Sequence, residues 1–345
     1  MRVLLVKTSS MGDIVHALPV VADLHAAFPG IHIEWLVEEA YMPIVQAHPG
    51  VENVIPIALR RWRKNLLHPE TRNQWRAFVH ALRARPFDAI IDLQGLVKSA
   101  VIARLARGPH LGLSWASSRE ALASIFYDRR MQTPLGRTEA AVQRYRQLAS
   151  WALGYTPSAP PLFGLHVCAT RPGWLHGHRP YVVLLSATAK ERKLWAEERW
   201  VALAGWLREQ GLVSAFAWGN ASERARAERL ATRVNALAGE DGEGLAHVAP
   251  EAFGLDVWMG VLKAAHLVVG VDTGLLYLGA AVGTPAVAIY AGSSPHSVEF
   301  ESSGPWRSLG DDGKPPDVHA VMEAVGSVLG WAVPPALLPV HGPAH

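Results

Sequence analysis

The chain has little cysteine, little charge and no long apolar run. Its 345 residues include one cysteine, Cys168, and charged side chains make up only 18% of the sequence. A single cysteine excludes an internal disulfide framework and favours a reducing compartment. No stretch reaches the roughly 20 apolar residues of a membrane-spanning helix, and Lys7 comes too early for a secretion signal. The sequence therefore predicts a cytoplasmic chain, and its 50% apolar content is enough for two ordinary cores.

Several motifs that mark common enzyme classes are also absent. No Gly-x-Gly-x-x-Gly follows a predicted strand and no Gly-Lys-Ser/Thr occurs, which argues against a dinucleotide fingerprint and a P-loop. No Gly-x-Ser-x-Gly occurs either, so no hydrolase nucleophile elbow is indicated. Because there is no Asp-x-Asp and the 16 histidines are scattered, the sequence predicts no metal site and no required cofactor.

The basic charge is mild overall but concentrated in one place. The net charge of +3 is too small to argue for nucleic-acid binding, and no nucleic-acid partner is expected. Four basic residues surround Trp62, namely Arg60, Arg61, Arg63 and Lys64. A solvated basic loop is the default interpretation of this cluster. The functional alternative is a docking patch for an acidic acceptor, since arginine binds phosphate and carboxylate groups with two parallel hydrogen bonds.

Short apolar runs alternate with helical patterns, which predicts an α/β fold with doubly wound parallel sheets. In the first half, strands are predicted at Val3–Val6, Ile31–Val37, Val54–Ile57 and Phe87–Leu93, and helices at Ile14–Ala27 and Gln74–Arg83. Pro56 places the third of these strands at a sheet edge, because proline donates no ladder hydrogen bond.

A stretch rich in proline and glycine, residues 157–180, separates this series from a second one. The division predicts a first domain over 1–170, a linker over 171–180 and a second domain over 181–316. Residues 317–345, a closing helix and a tail, are expected to pack back toward the first domain. In the second domain, strands are predicted at Tyr181–Leu185, Ser214–Ala217, Leu267–Val271 and Ala286–Tyr290, and helices at Ala196–Glu209, Ser222–Ala236 and Thr273–Val282.

Ligands of open α/β sheets bind beyond the carboxyl ends of the strands, so the turns after strands are the candidate sites. At Asp272-Thr273-Gly274, backbone amides at a helix start offer an anion site. The alternative is that Asp272 serves only as a helix cap. Asp13 is either a general base for a hydroxyl or another cap. Lys193, with Thr188 nearby, either neutralises a leaving diphosphate or is a surface charge.

These turns resemble those of a known family, the ADP-heptose:lipopolysaccharide heptosyltransferases. The resemblance runs from Met1 to about Leu329. Two segments resemble the family as a whole. They are Ser9-Ser10-Met11-Gly12-Asp13-Ile14-Val15-His16-Ala17-Leu18-Pro19 and Val269-Gly270-Val271-Asp272-Thr273-Gly274-Leu275. The strings Arg60–Lys64, Ile91–Ala100 and Arg119–Tyr127 resemble the members that act on the first Kdo sugar.

The resemblance implies a GT-B architecture, with two Rossmann-like domains facing a cleft, and an inverting, metal-independent transfer of heptose from ADP-heptose onto Kdo2-lipid A. It implies that Asp13 is the base and that Lys193 neutralises the diphosphate. Donor contacts are implied for Thr188, Glu223, Asp272, Thr273, Gly274 and Leu275, and acceptor contacts for Arg60, Arg61, Arg63, Lys64 and Arg119. The acceptor implies peripheral association with the cytoplasmic face of the inner membrane.

The chain departs from the family pattern at Leu276-Tyr277, where Ser-His is common, and at Ala140, where a histidine is common. Two other functions stay open at this point. One is that of the sister enzymes that add the next heptose or use a related nucleotide sugar. The other is that of a catalytically silent protein that binds nucleotide sugar or lipid A, since fold does not fix function.

Overall fold

The computed structural model describes residues 1–65, 68–133, 140–157, 160–237, 245–293 and 301–331. Within these ranges the chain forms two parallel six-stranded sheets, one after the other. The first sheet contains β1 (Arg2–Val6), β2 (His32–Glu38), β3 (Asn53–Ile57), β4 (Ala89–Asp92), β5 (His110–Leu113) and β6 (Arg129–Met131). The second contains β7 (Tyr181–Leu185), β8 (Val213–Phe216), β9 (Ala246–Val248), β10 (Leu267–Val271), β11 (Ala286–Tyr290) and β12 (Trp306–Gly310).

Helices connect the strands of each sheet. Those of the first unit are α1 (Met11–Ala17), α2 (Pro19–Ala27), α3 (Met42–Gln46), α4 (Leu59–Trp62), α5 (Pro69–Arg83), α6 (Val97–Ala103) and α7 (Ala141–Leu153). Those of the second unit are α8 (Glu197–Glu209), α9 (Ala221–Ala236), α10 (Leu255–Ala264), α11 (Gly274–Ala281) and α12 (Val318–Leu329). No helix in the described ranges is long and apolar enough to cross a membrane.

Both sheets have the same strand order. The first runs β3-β2-β1-β4-β5-β6, and the second runs β9-β8-β7-β10-β11-β12. This is the order of the Rossmann fold, in which the connections leave to opposite faces between the first and fourth strands. The prediction of two doubly wound units is therefore confirmed, and each unit has a crevice at its own switch point, between β1 and β4 or between β7 and β10.

The strands have the apolar character that a doubly covered parallel sheet requires. Along β1, Val3 and Leu5 pack with α1, α2 and α7 on one face, whereas Leu4 and Val6 pack with α5 and α6 on the other. β3 is the edge strand, pairing with β2 alone in the described sheet, and Pro56 lies opposite Val37. The predicted edge position of this strand is confirmed.

The predicted helix from Ile14 to Ala27 is two helices. α1 ends at Ala17 and α2 begins at Pro19, whose missing N–H is tolerated at a first helical position. The break lets α1 pack against α11 of the second unit while α2 packs against α7. The basic residues Arg60 and Arg61, expected in a loop, belong to α4.

The last described helix corrects one expectation. The buried residues of α12 pack with Val182 and Leu184 in the core of the second unit, and its main contacts are with α8, β11 and β12. The sequence predicts packing back toward the first unit, and the helix differs because its apolar stripe covers the second sheet. The tail from residue 332 to 345 lies outside the described residues.

Candidate active site

The two switch points open onto a shared cleft between the units. Its cavity measures about 820 Å³ and takes residues from the ends of β1, β4, β7 and β10. Its charged lining comprises three acidic side chains, Asp13, Glu120 and Asp272, and six basic ones, Lys7, Lys98, Arg119, Arg144, Lys190 and Lys193. A positive excess on both walls suits a ligand that carries several negative charges.

Asp13 lies on the first wall, in the first turn of α1. The backbone N–H of Ser10 donates to its Oδ2 at 3.2 Å, and the Ser10 hydroxyl donates to the same oxygen at 2.9 Å. Tyr145 donates its hydroxyl to Oδ1 at 2.8 Å from helix α7, 132 residues further along the chain. Asp13 thus serves as a cap of α1, one of the two roles that the sequence leaves open, and it also faces the cleft.

A buried lysine stands behind Asp13. Lys7, at the end of β1, is 2% exposed, donates to the Tyr145 hydroxyl at 2.8 Å and lies 3.8 Å from Asp13 Oδ1. Burial, partly offset by the charge of Asp13, lowers the pKa of Lys7 to about 8. Burial alone raises the pKa of Asp13, but the charge of Lys7 and the hydrogen bonds from Tyr145 and Ser10 outweigh it, and the pKa is about 2. The Asp13 side chain is therefore a carboxylate throughout the neutral range.

The turn after β4 supports the turn after β1. Gln94 accepts hydrogen bonds at Oε1 from the Thr8 N–H at 2.7 Å and the Ser9 N–H at 3.2 Å, and it donates to the Ser9 hydroxyl at 3.1 Å. Buried Asp92 accepts in turn from the Gln94 N–H at 2.8 Å. Sequence reasoning missed Gln94, although its position directly after a predicted strand is the signal that would have found it.

On the second wall, Asp272 is surrounded by donors. Lys193 and Ser293 donate to its Oδ2, the latter at 2.8 Å, and Tyr277 donates to Oδ1 at 2.7 Å. Burial raises the pKa of Asp272, but hydrogen bonds from Lys193 and Tyr277 more than offset this, so the pKa is lowered overall. The Lys193–Asp272 ion pair is half-buried and holds the lysine at the cleft.

The other residues predicted to contact the donor lie around this pair. Thr188 donates its hydroxyl to the backbone carbonyl of Asp272 at 3.1 Å, and Thr273 is the N-cap of α11. Glu223 lies in the first turn of α9, at the carboxyl end of β8, where it accepts from the Gly219 N–H at 2.7 Å. Leu275 is partly buried and packs on the core. Thr188 and Glu223 thus follow neighbouring strands of one sheet.

Two glycines let the units approach closely. A Cβ on Gly274 would lie 2.7 Å from the sulfur of Met11, and a Cβ on Gly12 would lie 3.0 Å from the ring of Tyr277. Both contacts join α1 to α11. The position where a side chain on Gly274 would lie is therefore occupied by Met11, and the missing side chain serves the contact between the units.

Tyr277 also links the walls through an aromatic contact. Its ring meets the ring of His16 edge-on, with centroids 4.6 Å apart. Burial lowers the pKa of His16 to about 4, so the imidazole is neutral at pH 7, and neither ring nitrogen has a partner among the described residues. Tyr277 was noted in the sequence only as a departure, yet its ring and hydroxyl contact both units.

The predicted acceptor residues do not all meet at the cleft. Arg119 lines it, together with Lys98 and Arg144, which sequence reasoning missed. Arg61 instead pairs with Glu39 through two hydrogen bonds of 3.0 and 2.8 Å. The guanidinium of Arg60 lies 5.4 Å above the Tyr41 ring, Arg63 lines a separate groove, and Lys64 follows α4 on an exposed turn.

No group of three or more His, Cys, Asp or Glu side chains arranged to hold a metal ion occurs in the described part of the chain. The cations that face the cleft are side chains of lysine and arginine. Charge neutralisation at this site can therefore come from the protein's own ammonium and guanidinium groups.

Two Rossmann-like units that face each other over a ligand cleft make up the GT-B class of glycosyltransferases. The model of glycosyltransferase family 9 (heptosyltransferase) matches residues 75–308. Lipopolysaccharide heptosyltransferase 1 of Escherichia coli K12 is 41% identical over 298 residues, which cover 86% of this chain and 89% of the relative.

Solved structures agree with the sequence comparison. The structure of E. coli heptosyltransferase WaaC with ADP superposes with a TM-score of 0.83 at 36% identity, covering 95% of this chain and 99% of the other. The same enzyme with ADP-2-deoxy-2-fluoro heptose gives a TM-score of 0.79 with the same identity and coverage. The chain belongs to glycosyltransferase family 9, the heptosyltransferases.

Proposed function

We propose that this heptosyltransferase moves L-glycero-D-manno-heptose from ADP-heptose onto the first Kdo of Kdo2-lipid A, with inversion at the anomeric carbon. The observation that carries the proposal is the placement of Asp13 on one wall of the cleft and Lys193 on the other. A single displacement needs a base on the acceptor side and a positive charge on the leaving-group side. The cleft offers both, on different units.

On the acceptor side, Asp13 takes the proton of the attacking hydroxyl. The oxygen–carbon bond forms as the bond between the anomeric carbon and the diphosphate breaks, and the hydroxyl becomes acidic late in this process. A carboxylate that is always ionised is ready at any physiological pH. Lys7 and Tyr145 act as positioning residues, because they hold Asp13 Oδ1 and leave the carboxylate partly open to the cleft.

On the donor side, Lys193 neutralises the charge that develops on the departing ADP. The first N–H groups of α11, which begins at Gly274, add partial positive charge beside it. Preorganised donors of this kind stabilise developing negative charge most strongly in a site from which water is excluded. Asp272 holds Lys193 in place and is proposed to meet the heptose hydroxyls, while Thr188 contacts the phosphates and Glu223 the ribose.

The acceptor wall contains its own cations. Lys98, Arg119 and Arg144 line the cleft on the first unit, the same unit as Asp13. We assign the Kdo carboxylates to these three residues. Arg60, Arg61, Arg63 and Lys64 lie outside this lining and are proposed to meet the more distant phosphates of the acceptor or of the surrounding membrane. This assignment divides the predicted acceptor residues into an inner and an outer set.

Two further proposals concern the need for a metal ion or cofactor and the location of the enzyme in the cell. Because the leaving group is met by Lys193 and helix amides, we propose that transfer needs no metal ion and no cofactor. Because the acceptor is a lipid, we propose that the enzyme works in the cytoplasm at the inner face of the membrane, as a peripheral protein. Rising salt is then expected to weaken its association with membranes.

Release of ADP from ADP-heptose by the purified protein tests the proposed reaction. The assay is run with and without deacylated Kdo2-lipid A, for the wild type, Asp13→Asn and the exposed control Asp256→Asn. The expected result is acceptor-dependent release that Asp13→Asn lowers about 10²–10⁴-fold and Asp256→Asn leaves unchanged.

The alternatives give different outcomes in the same assay. Release that requires an acceptor already carrying one heptose would identify the sister activity that adds the second heptose. Binding of ADP-heptose without release on either acceptor would identify a silent nucleotide-sugar binder. The names of the relatives at 41% identity favour the first step.

A further inference from the structure

An apolar groove rimmed by arginines lies on the first unit, outside the cleft. It measures about 430 Å³ and runs between α4 and the first half of α5. Its apolar lining consists of Leu59, Trp62 and Trp75, and its rim carries Arg63, Arg72 and Arg76. None of these residues lines the cleft. Of them, only Arg63 has a role in the proposed function, at the outer phosphates.

The sequence of α5 creates this face. Two pairs of residues lie about one helical turn apart on α5, Thr71 with Trp75 and Arg72 with Arg76. This spacing places all four on one side of the helix. Phe78 and Leu82 are buried in the core of the first unit instead. The exposed side of α5 therefore carries Arg72, Trp75 and Arg76.

An aromatic cluster forms the floor of the groove. Trp62 is buried, and its ring centroid lies 5.8 Å from that of Trp75 and 5.9 Å from that of Phe78. The Trp62 indole N–H donates to Gln74 at 2.8 Å, whereas Trp75 is 38% exposed and its N–H has no partner among the described residues. Tryptophan with an apolar body and an unsatisfied N–H suits the interface between lipid tails and headgroups.

The charges of the rim are available to a ligand. Arg61 is neutralised by Glu39, but Arg63, Lys64, Arg72 and Arg76 form no ion pair in the described part of the chain. Glu70 is the acidic side chain nearest in sequence on α5, and it accepts a hydrogen bond from Gln74. Positively charged side chains thus surround the apolar centre of the groove. A second copy of the same face would bring arginine against arginine, which argues against self-association here.

We infer that the α4–α5 face is a membrane-docking surface that binds the headgroups of an anionic phospholipid bilayer through Arg63, Arg72 and Arg76 while Trp75 enters the interface. The inference rests on the proposed function, in which the acceptor is a lipid, and it adds the surface and the chemistry of the contact. Long arginine stems lie along apolar surface while their guanidinium groups reach phosphates. The face belongs to the same unit as Asp13, so docking would hold the unit that carries the proposed base at the bilayer.

Sedimentation with lipid vesicles tests this surface. The full chain is mixed with vesicles of phosphatidylcholine alone, or with about one third phosphatidylglycerol, at low and at high salt. The wild type is expected to sediment with the anionic vesicles, and less so as salt rises. Each basic residue near the surface is worth about fivefold in partitioning, so the double variant R72Q/R76Q is expected to bind about 25-fold more weakly. Trp75→Ala is expected to bind about tenfold more weakly.

A charge-matched control removes two arginines from the second unit, Arg224 and Arg233, both exposed on α9. The double variant R224Q/R233Q is expected to bind vesicles like the wild type. All variants are expected to turn over the deacylated, water-soluble acceptor at the wild-type rate, since the cleft is untouched.

Two results would overturn the inference. One is equal binding by R72Q/R76Q and by the wild type, which would place the contact elsewhere. The other is no binding of the wild type to anionic vesicles while the deacylated acceptor is still turned over, which would remove the docking surface and leave the proposed reaction standing. Loss of turnover with the soluble acceptor in the wild type would instead count against the proposed function.

Discussion

The ammonium group of Lys7 lies 3.8 Å from the carboxylate of Asp13, and the hydroxyl of Tyr145 bonds to both. Lys7 is almost fully buried, whereas Asp13 reaches the cleft. We therefore propose that Lys7 acts on the chemistry through Asp13, whose carboxylate it faces. Mutation of Lys7 is therefore expected to change the charge state of Asp13 before it changes any other property of the site.

The first prediction concerns pH. We propose Asp13 as the base, which works as a carboxylate, so activity is expected to fall as pH drops through its pKa, which Lys7 helps to hold at about 2. In Lys7→Met the burial of Asp13 remains while its positive neighbour is lost, so the pKa rises. We expect the acid limb of kcat/KM to move upward by about 1–3 pH units. Lys98→Met, a loss of another lysine from the cleft, is the control and should raise the acceptor KM without moving the limb. An acid limb unchanged by Lys7→Met would contradict this role.

The second prediction concerns the leaving group. Lys193→Met removes the cation held by Asp272 and is expected to lower kcat about 10²–10³-fold, the usual effect of losing one preorganised donor. Lys314→Met, a lysine on an exposed turn, is the matched control and should be neutral. Steady-state ADP release measures both, and chelation of divalent ions with EDTA should leave the wild-type rate unchanged. A rate abolished by EDTA and restored by magnesium would show that the lysine does not act alone.

The third prediction concerns Tyr277. Tyr277→Phe keeps the ring that packs on His16 but removes the hydrogen bond to Asp272. A lost hydrogen bond to a charged group is worth about 1.5–3 kcal/mol, so kcat/KM for the donor should fall about 10- to 150-fold. Tyr181→Phe is the matched control, because that buried hydroxyl bonds a backbone carbonyl away from the cleft. Equal donor kinetics for Tyr277→Phe and the wild type would refute the positioning role of the hydroxyl.

The fourth prediction concerns stability. Arg146 on α7 donates twice to Asp23 on α2, at 2.7 and 2.8 Å, and both side chains are buried. Asp23→Asn removes the carboxylate that accepts both of these buried hydrogen bonds, so it should lower the free energy of unfolding by about 3–5 kcal/mol. Arg104→Gln, which breaks an exposed pair with Asp128, should cost about 1 kcal/mol or less. Denaturant unfolding curves measure both, and similar losses in the two variants would contradict the assigned burial.

Much of the fold follows from local sequence. Apolar runs such as Val3–Val6 and Leu267–Val271 have the length of strands covered on both faces, and their alternation with helical patterns predicts the parallel sheets that the structure has. Pro19 lies inside the continuous apolar pattern of Ile14–Ala27, and this pattern does not show that the first helix ends at Ala17. The packing of α12 depended on which sheet had an uncovered face, and no local pattern contains that information.

The candidate site was partly predictable for a similar reason. Asp13 and Asp272 each follow a predicted strand, and ligands bind at the carboxyl ends of the strands in a parallel sheet, so each could be placed at the binding edge of its own sheet. Tyr145 lies in the middle of a helix and reaches Asp13 only through the packing of α7 on α1, so its role has no signal in the sequence. The basic cluster at Arg60 was visible, but its division between an ion pair and an open groove depends on Glu39 and Trp75, which only the folded chain brings near.

The stereochemistry of the product tests the central claim most directly, namely that base and leaving group occupy opposite walls. The measurement is the one-bond carbon–hydrogen coupling at the anomeric carbon of the transferred heptose, by nuclear magnetic resonance on the product made from ADP-L-glycero-β-D-manno-heptose. Direct attack by a hydroxyl deprotonated at Asp13 gives an inverted, α-linked heptose. A β-linked product would require a covalent intermediate or attack from the side of Lys193, and would contradict the account.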